Sequence, residues 1–253
     1  MPTYNRAGII ERAIKSVLSQ TYNDFELIVI DDGSSDNTKE VLEGIEDKRI
    51  RTHFLKENKR VSAVRNIGVN LAQGDLIAYL DTDNLWYPNY LEVTVSEFSD
   101  DYVLIFSGQN TFLVSGDKTN PQIIGRSIRN AGYNPVTLIK GTGTNPDINC
   151  VIHTKQIIEE IGMFDENLST CEDWDLFSRI AVKYPFKIKY VSQVVGEYYY
   201  YLKGTLDTIS NRYISDEMLR DWFNVRIPRG DDQYIQNKIQ KLLRENKILK
   251  VKN

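Results

Sequence analysis

The sequence contains little cysteine and little histidine, and both scarcities restrict what the chain can be. Its 253 residues include two cysteines, Cys150 and Cys171, and two histidines. The cysteines form neither a CxxC pair nor a group with histidine, which argues against a disulfide scaffold and against a structural zinc site. This composition fits a reducing compartment, and we expect the chain to be cytoplasmic.

Long apolar runs are also missing. No stretch approaches the roughly 18 apolar residues of a membrane-spanning helix, and the N-terminus lacks the basic and then apolar segments of a signal peptide. The formal net charge of −4 gives no overall attraction to nucleic acid. We therefore predict neither an integral membrane protein nor a nucleic-acid-binding protein.

Glycine-rich phosphate loops are a third absence. Neither GxGxxG nor GxxxxGK[ST] occurs in the sequence. This disfavours dehydrogenases and P-loop enzymes, and any bound phosphate has to be neutralised by a metal ion and side chains instead.

Helix-like and strand-like segments alternate along most of the chain. Residues 10–18 have a helical apolar face, and residues 25–30 form an apolar strand-like run. Further helix-like and strand-like segments alternate within residues 41–80. This alternation predicts an α/β fold with a single, mostly parallel, twisted sheet and flanking helices. Between Ser107 and Asn149 the pattern weakens, and we interpret that stretch as long loops over a binding face.

The last forty residues have the pattern of a basic amphipathic helix. Apolar residues recur on one helical face, and lysine and arginine crowd the remainder of it. Such a helix predicts either peripheral association with the anionic inner face of the cell membrane or packing on its own domain.

Two predicted strands end in acidic motifs, DDGS at 31–34 and DTD at 81–83. In an open α/β sheet, ligands bind beyond the carboxyl ends of the strands. Carboxylates gathered there repel one another unless a cation compensates, and Mg²⁺ or Mn²⁺ prefers such oxygen ligands. We predict a divalent metal site formed by Asp81 and Asp83. Taken singly, each motif is also compatible with a solvated turn.

Further motifs share the order and spacing of one family. They are PTYNR at 2–6, DDGSSDNT at 31–38, RN at 65–66, GD at 74–75, DTDNLWYP at 81–88, GMFDE at 162–166 and EDWDL at 172–176. Together they resemble the family-2 glycosyltransferases, which have the GT-A fold. The resemblance implies a catalytic domain at 1–211, with a Rossmann-like nucleotide-binding half at 1–110 and an acceptor half at 111–211, followed by a helical basic extension at 212–253.

The resemblance also implies a binding site for a nucleotide sugar. The residues that it places around the base, the ribose and the rest of the donor are Thr3, Tyr4, Asp31, Asp32, Asn58 and Arg65. It makes Asp83 the direct metal ligand, with Asp81 at the ribose or in the outer shell of the metal, and these two roles are exchangeable. Where relatives often carry a histidine, this sequence has Lys203, which can hold phosphate as a point charge.

For catalysis, the resemblance points to Glu172 and Asp173, with Asp173 as the general base. A sugar hydroxyl is a poor nucleophile, so a carboxylate within hydrogen-bond reach has to accept its proton while the new bond forms. Capping of the following helix is the structural alternative for this acidic pair. Trp86 and Trp174 adjoin the acidic motifs and are candidates for stacking on the acceptor sugar.

The start of the sequence departs from the family pattern. Relatives usually have several apolar residues ahead of the PTYN stretch, and these form the first strand, whereas this sequence begins at Met1. We expect either a truncated start or a sheet without its central strand, which leaves backbone groups unpaired beside the donor site.

These observations predict a metal-dependent, inverting glycosyltransferase. We expect it to transfer a hexose-type unit from a nucleoside diphosphate sugar, with UDP-sugars favoured, to a glycan or lipid-linked acceptor in cell-surface polysaccharide synthesis. One alternative is a nucleotidyltransferase, although the glycine-rich basic loop of that class is absent. The other is a catalytically impaired module that binds sugar nucleotides or glycans.

Overall fold

The computed structural model describes residues 1–115, 122–129, 132–135, 138, 146–168 and 171–201. In chain order the elements are β1 (Pro2–Thr3), α1 (Ile10–Leu18), β2 (Leu27–Asp31), α2 (Thr38–Glu43), β3 (Ile50–Phe54), α3 (Arg60–Leu71), β4 (Leu76–Ala78), β5 (Leu85–Trp86), α4 (Tyr90–Val95), β6 (Leu104–Ser115), β7 (Gln122–Arg129), β8 (Val151–Thr154), α5 (Lys155–Ile161), α6 (Glu172–Lys183) and β9 (Ile188–Tyr201). The predicted helical extension at 212–253 and Lys203 lie outside the described residues.

The N-terminal strands form a parallel sheet in the order β1-β2-β3. β2 is apolar on both faces, as expected for a parallel strand that is covered by helices on both sides. Helix α1 packs its apolar stripe into the core, and its buried side chains are Ile10, Ala13, Ile14 and Val17. The spacing of these four residues is that of one helical face.

The remaining strands form a six-stranded mixed sheet in the order β4-β8-β6-β9-β5. β7 pairs with the C-terminal part of β6, beyond the part that pairs with β8. β6 runs parallel to β9, but β4, β5, β7 and β8 all pair in antiparallel fashion. The α/β class was predicted correctly, whereas the single, mostly parallel sheet was not. The direction of a strand depends on its pairing partner, and an apolar run has the same pattern in either direction.

The interpretation of residues 107–149 as loops was wrong in part. β6 continues to Ser115 and pairs with β7 from Gln109↔Arg129 to Ser115↔Gln122. The polar and small residues of β6 are held in the sheet because β9 and β7 both pair with its backbone. β6 also crosses the position between residues 110 and 111 that we predicted as the boundary between the two halves.

The first strand is present but consists of two residues. Pro2 pairs with Ile30 and Thr3 pairs with Asp31. The ammonium group of Met1 donates to the carbonyl oxygen of Ile28 at 2.8 Å. Burial lowers the pKa of this amino group to about 5.

Among the described residues, no helix has both the length and the apolar character that crossing a membrane requires.

Candidate active site

Arg65 joins two of the predicted acidic motifs. It lies on α3 with its side chain 3% exposed, and it donates to Asp81 Oδ1 at 2.9 Å and to Glu172 Oε1 at 2.6 Å. Burial disfavours the guanidinium charge, but the two carboxylates outweigh that cost and raise the pKa of Arg65. Arg65 therefore holds the end of β4 and the start of α6 on one side of a shared site.

A second set of contacts extends this network through Asn149. The backbone N–H of Asp81 donates to Asn149 Oδ1 at 2.6 Å, and Asn149 Nδ2 donates to Asp147 Oδ1 at 2.8 Å. Asp147 also accepts from Arg129 Nη1 at 3.1 Å. The connected residues form a continuous chain of charges and hydrogen bonds, which we call the acidic network: Arg129, Asp147, Asn149, Asp81, Arg65 and Glu172.

Replacing Arg65 with methionine tests whether this ion pair holds the site together. The change leaves two partly buried carboxylates without their cation, so we expect the free energy of unfolding to fall by about 3–5 kcal/mol. Urea denaturation measures this loss. Lys15→Met is the matched control, because it removes an exposed pair with Glu11 and should cost no more than a few tenths of a kcal/mol. Equal losses in both variants would contradict the role given to Arg65.

The first turn of α6 presents Glu172 and Asp173. Cys171, just before the helix, has a φ of 58°, a left-handed conformation that is uncommon for residues other than glycine and occurs often at functional sites. Asp173 is half-buried, and its Oδ1 accepts from the N–H of Trp174 at 2.7 Å. Burial and the neighbouring Glu172 charge raise the pKa of Asp173 to about 7. A carboxylate whose pKa is raised in this way binds a proton more readily than an ordinary one, a property that suits a general base.

Asp83 follows Asp81 in the DTD motif and is also half-buried. Its Oδ1 accepts from Asn84 Nδ2 at 3.1 Å. Burial and repulsion by Asp81 raise the pKa of Asp83 to about 7, although Arg6 and Arg12 act in the opposite direction. The charged form of Asp83 is thus only partly compensated by the protein, and a cation at this position would complete the compensation.

The DDGS motif forms a hydrogen-bonded loop at the end of β2. Asp31 accepts from the hydroxyl of Ser34. Asp32 accepts from the backbone N–H groups of Lys59 at 2.7 Å and Arg60 at 3.0 Å, so it caps the start of α3. Burial nevertheless raises the pKa of Asp32 above its ordinary value. Gly33 has a φ of 74°, and a Cβ there would lie 3.1 Å from the backbone of Glu57, so a larger residue at this position would be strained.

The other predicted donor residues lie around this loop. The hydroxyl of Thr3 is buried, and among the described residues it has no hydrogen-bond partner, so its hydrogen-bonding capacity is unused. Tyr4 is 39% exposed, which leaves part of its ring open to stacking. Asn58 is exposed, and its side chain accepts from the N–H of Arg60 at 3.3 Å. The structure thus brings Thr3, Asp31 and Asp32 to one strand end and places Asn58 on the loop that Asp32 holds.

The proposal that Trp86 stacks on an acceptor sugar was wrong. Trp86 is 7% exposed, its indole N–H donates to the carbonyl of Asn149 at 2.7 Å, and its ring centroid lies 4.3 Å from that of Tyr90. Trp86 is therefore a core residue whose indole N–H holds the backbone of Asn149. Trp174 is half-buried and donates to the carbonyl of Leu138 at 2.9 Å.

Comparison with known proteins identifies the family of the chain. Residues 1–157 match the model of the family described as glycosyl transferase family 2. The chain belongs to this family. Among its relatives is the putative colanic acid biosynthesis glycosyl transferase WcaA of Escherichia coli K12, which is 30% identical over 199 residues, or 77% of this chain and 70% of that protein.

Two further relatives extend the comparison. A glycosyltransferase of Escherichia coli, the UDP-Glc:alpha-D-GlcNAc-diphosphoundecaprenol beta-1,3-glucosyltransferase WfgD, is 34% identical over 145 residues, or 55% of this chain and 57% of that protein. An uncharacterized glycosyltransferase of Rickettsia conorii is 33% identical over 184 residues, or 72% of this chain and 30% of that protein. The chain thus spans less than a third of the length of this Rickettsia relative.

Solved structures confirm the GT-A α/β fold. Staphylococcus aureus TarS 1–349 in complex with UDP-GlcNAc aligns with a TM-score of 0.70 and 20% identity, covering 99% of this chain and 74% of that chain. The mannosyltransferase PcManGT of Pyrobaculum calidifontis, in complex with GDP-Man and Mn²⁺, aligns with a TM-score of 0.59 and 17% identity, covering 78% of this chain and 54% of that chain.

Several residues of this family-2 site escaped the sequence analysis. Asp147 and Asn149 belong to the acidic network, Arg12 donates to the carbonyl of Asp83 at 2.8 Å, and Tyr198 lies close enough to Asp147 and Asp83 for both charges to act on its phenol group. Asp147 occurs in a polar stretch without periodicity, and Arg12 lies on a helix that we assessed only for its apolar face. The one available signal was Pro146 before Asp147, a common turn start.

The carboxylates do not form a metal cage by themselves. Within the described part of the chain, no group of three or more histidine, cysteine, aspartate or glutamate side chains is arranged to hold a metal ion. This donor set still fits Mg²⁺ or Mn²⁺, which proteins commonly bind through one or two carboxylates together with water and substrate phosphates. The incompletely compensated carboxylate of Asp83, beside Asp81, supplies such a position.

Proposed function

We propose that the chain is an inverting glycosyltransferase that takes its sugar from a UDP-sugar. The observation that carries this proposal is the acidic network, in which Arg65 and Asn149 bring Asp81, Asp147 and Glu172 from three separate segments to one place. Asp173 and Asp83 flank the network with pKa values near 7. A single displacement needs a base that accepts the proton of the acceptor hydroxyl. It also needs a position where the negative charge of the leaving diphosphate is compensated.

In this mechanism, the loop at the end of β2 receives the nucleotide. Thr3 offers an unpartnered hydroxyl and Tyr4 an accessible ring, while Asp32 keeps the loop and the start of α3 in place. Asp31 supports the turn through Ser34. Asp32 thus acts on the donor mainly by positioning, and the exposed Tyr4 and Asn58 are the predicted donor residues that can contact it.

Asp173 accepts the proton of the acceptor hydroxyl as that oxygen attacks the anomeric carbon from the side opposite the diphosphate. One displacement of this kind inverts the configuration of the sugar carbon. Glu172 remains paired with Arg65 and keeps the first turn of α6 in position. A divalent cation held by Asp83, with Asp81 in support, would stabilise the negative charge of the departing diphosphate.

The acceptor that we propose is a lipid-linked glycan. The relatives WcaA and WfgD carry names that refer to colanic acid biosynthesis and to a diphosphoundecaprenol-linked sugar, and TarS was solved with UDP-GlcNAc. These names support a UDP-sugar donor and a role in building cell-surface polysaccharide. Association with the inner face of the membrane through residues 212–253 is part of this proposal, as is the location in the cytoplasm.

A thermal-shift screen of UDP-sugars and GDP-sugars with Mn²⁺ tests the donor class. At concentrations near 100 times the dissociation constant, a UDP-sugar should raise the melting temperature by about 5–10 °C, whereas GDP-sugars should not. Stabilisation by GDP-sugars alone would overturn the UDP assignment.

An acceptor assay then separates transfer from binding. Release of UDP that depends on a lipid-diphosphate-linked sugar indicates a glycosyltransferase. Stabilisation without such release indicates a binding module, and release of diphosphate from UTP with a sugar 1-phosphate indicates a nucleotidyltransferase.

A further inference from the structure

The strand β7 exposes apolar side chains along most of its length. Among the described residues, the large aliphatic side chains that are exposed are Ile123 at 48%, Ile124 at 57% and Ile128 at 64%, and all three belong to this eight-residue strand. Single exposed apolar residues are common on protein surfaces, whereas a group of them marks a contact with another protein or with a membrane.

β7 is also an edge strand. It pairs with residues 109–115 of β6, and among the described strands none pairs with its other edge. All of its residues are exposed except Gly125, which is half-buried. The strand therefore presents one backbone edge together with its apolar side chains to the surroundings, and an edge of this kind can take part in further hydrogen bonds.

The charge of β7 favours an anionic partner. The segment QIIGRSIR at 122–129 contains two arginines and no acidic residue, although the whole chain has a formal net charge of −4. Arg126 is exposed, and its guanidinium carbon lies 5.4 Å from the ring centroid of Phe112. Pairing with β7 of a second copy would bring four arginines together, and this repulsion disfavours a second copy as the partner.

The surface of an anionic bilayer matches these features. Water and lipid phosphates in the headgroup layer can pair with an open strand edge, which the hydrocarbon interior cannot do. Isoleucine side chains can reach the acyl boundary from this layer, while arginine side chains extend back to the phosphates. A strand with this composition is therefore suited to lie in the headgroup layer.

β7 also leads to the acidic network. Its last residue, Arg129, donates to Asp147 Oδ2 at 3.1 Å, and its guanidinium carbon lies 6.0 Å from the ring centroid of Tyr198. A strand rises about 3.3 Å per residue, so Ile123 and Ile124 are roughly 16–20 Å along the strand from Arg129. A membrane that contacts β7 thus presents its lipid-linked sugars beside the candidate active site.

We propose that β7 is a membrane-docking strand that lies in the headgroup layer of an anionic bilayer, with its three isoleucines at the acyl boundary and Arg126 on lipid phosphates. This inference rests on the proposed function, because it supplies the surface through which a lipid-linked acceptor reaches the site. The docking surface belongs to the catalytic domain and is separate from the basic extension at 212–253.

Vesicle binding by the full chain, without donor or acceptor, tests the proposal. The vesicles contain phosphatidylcholine alone or equal parts of phosphatidylcholine and phosphatidylglycerol. Joint replacement of Ile124 and Ile128 with serine should lower the partition coefficient on anionic vesicles by at least about tenfold, because apolar contact is lost. Arg126→Gln should lower it by about fivefold on anionic vesicles and leave it unchanged on neutral ones. All variants keep residues 212–253, so the differences report on β7.

Phe186→Ser is the matched control. Phe186 is 41% exposed, and it precedes β9, which pairs through Ile188 with Leu104 at the end of β6 remote from β7. This variant should bind vesicles as the unmodified chain does. Since every replaced side chain is exposed, the melting temperatures of all variants should stay the same.

Three results would overturn the proposal. The first is that the isoleucine variant binds anionic vesicles as well as the unmodified chain, and the second is that Arg126→Gln has no effect on them. The third is a dimer in sedimentation velocity that dissociates when Ile124 and Ile128 are replaced, because it would assign β7 to a second copy of the chain.

A transfer assay keeps this proposal apart from the proposed function. With a water-soluble acceptor, the isoleucine variant should transfer as fast as the unmodified chain, whereas with an acceptor embedded in anionic vesicles it should be at least about tenfold slower. Equal rates on the embedded acceptor would contradict docking through β7. Failure of the unmodified chain to use either acceptor would contradict the proposed function and would leave the vesicle-binding result in place.

Discussion

Replacing Asp173 with asparagine is expected to reduce the rate of sugar transfer by about 10²–10⁴-fold, the range that a positioned general base contributes. Asparagine keeps the shape of the side chain and can still accept from the N–H of Trp174, so the first turn of α6 should be preserved. The affinity for UDP should remain that of the unmodified protein, because Asp173 acts on the acceptor. Steady-state transfer assays and calorimetry with UDP measure the two quantities.

The pH dependence of transfer gives an independent test of the same role. Burial and Glu172 raise the pKa of Asp173 to about 7, and a base acts only when it has lost its proton. The rate should therefore rise with pH, tenfold per unit well below pH 7, and level off above it.

A matched control for the Asp173 variant lies on the same turn. Asp175→Asn changes a carboxylate that Arg179 already holds at 2.8 Å, and it should transfer at nearly the normal rate. If Asp173→Asn retains more than a tenth of the activity, or if the rate is flat between pH 5 and pH 8, another group is the base.

Replacing Asp83 with asparagine should separate donor binding from stability. We expect the affinity for UDP in the presence of Mn²⁺ to fall by at least about 100-fold, since even residues that only support a metal ligand contribute 10–100-fold. The melting temperature should stay the same or rise. The pKa of Asp83 is raised to about 7, so the folded state becomes less stable as the pH increases from 4 to 7 and this carboxyl group loses its proton. Asparagine carries no charge and avoids this cost.

Calorimetry with Mn²⁺, with and without chelator, measures the effect of Asp83→Asn. In the unmodified protein, chelator should weaken UDP binding, and in the variant it should change little. Asp101→Asn, which alters an exposed carboxylate, is the control and should behave like the unmodified protein. Equal UDP affinity in both variants, or a variant that still responds to chelator, would remove Asp83 from the phosphate site.

The architecture explains why a charged network of this size is tolerated. Glu172 and Arg65 are both buried, and unpaired charges in such positions are costly. Each is compensated because the guanidinium of Arg65 contacts two carboxylates, and Asn149 links Asp81 to Asp147. Asp83 and Asp173 are left with less compensation than the rest, and they are also the two residues to which we assign chemistry.

In the structure, Arg65 joins two of the predicted motifs, DTD and EDWDL, and the sequence did not predict which carboxylates it would contact. A strand that ends in DTD predicts carboxylates at the sheet edge. It does not predict which of these carboxylates is paired with a cation of the protein. Arg65 was expected near the donor, and in the structure it faces Asp81 and Glu172. Asp32 was expected at the base and ribose, and in the structure both of its oxygens accept backbone N–H groups.

The sequence by itself determined the elements whose signals are local: the helical faces of α1 and α6, the apolar run of β2, and the acidic motifs at strand ends. Only the tertiary structure decided the directions of β4 to β9, the pairing that makes residues 107–115 a strand, and the contacts of Asn149 and Arg65. The reason is physical. Periodicity records which side of an element is buried, whereas strand direction depends on distant pairing partners and ion pairing on residues as far as 107 positions away in the chain.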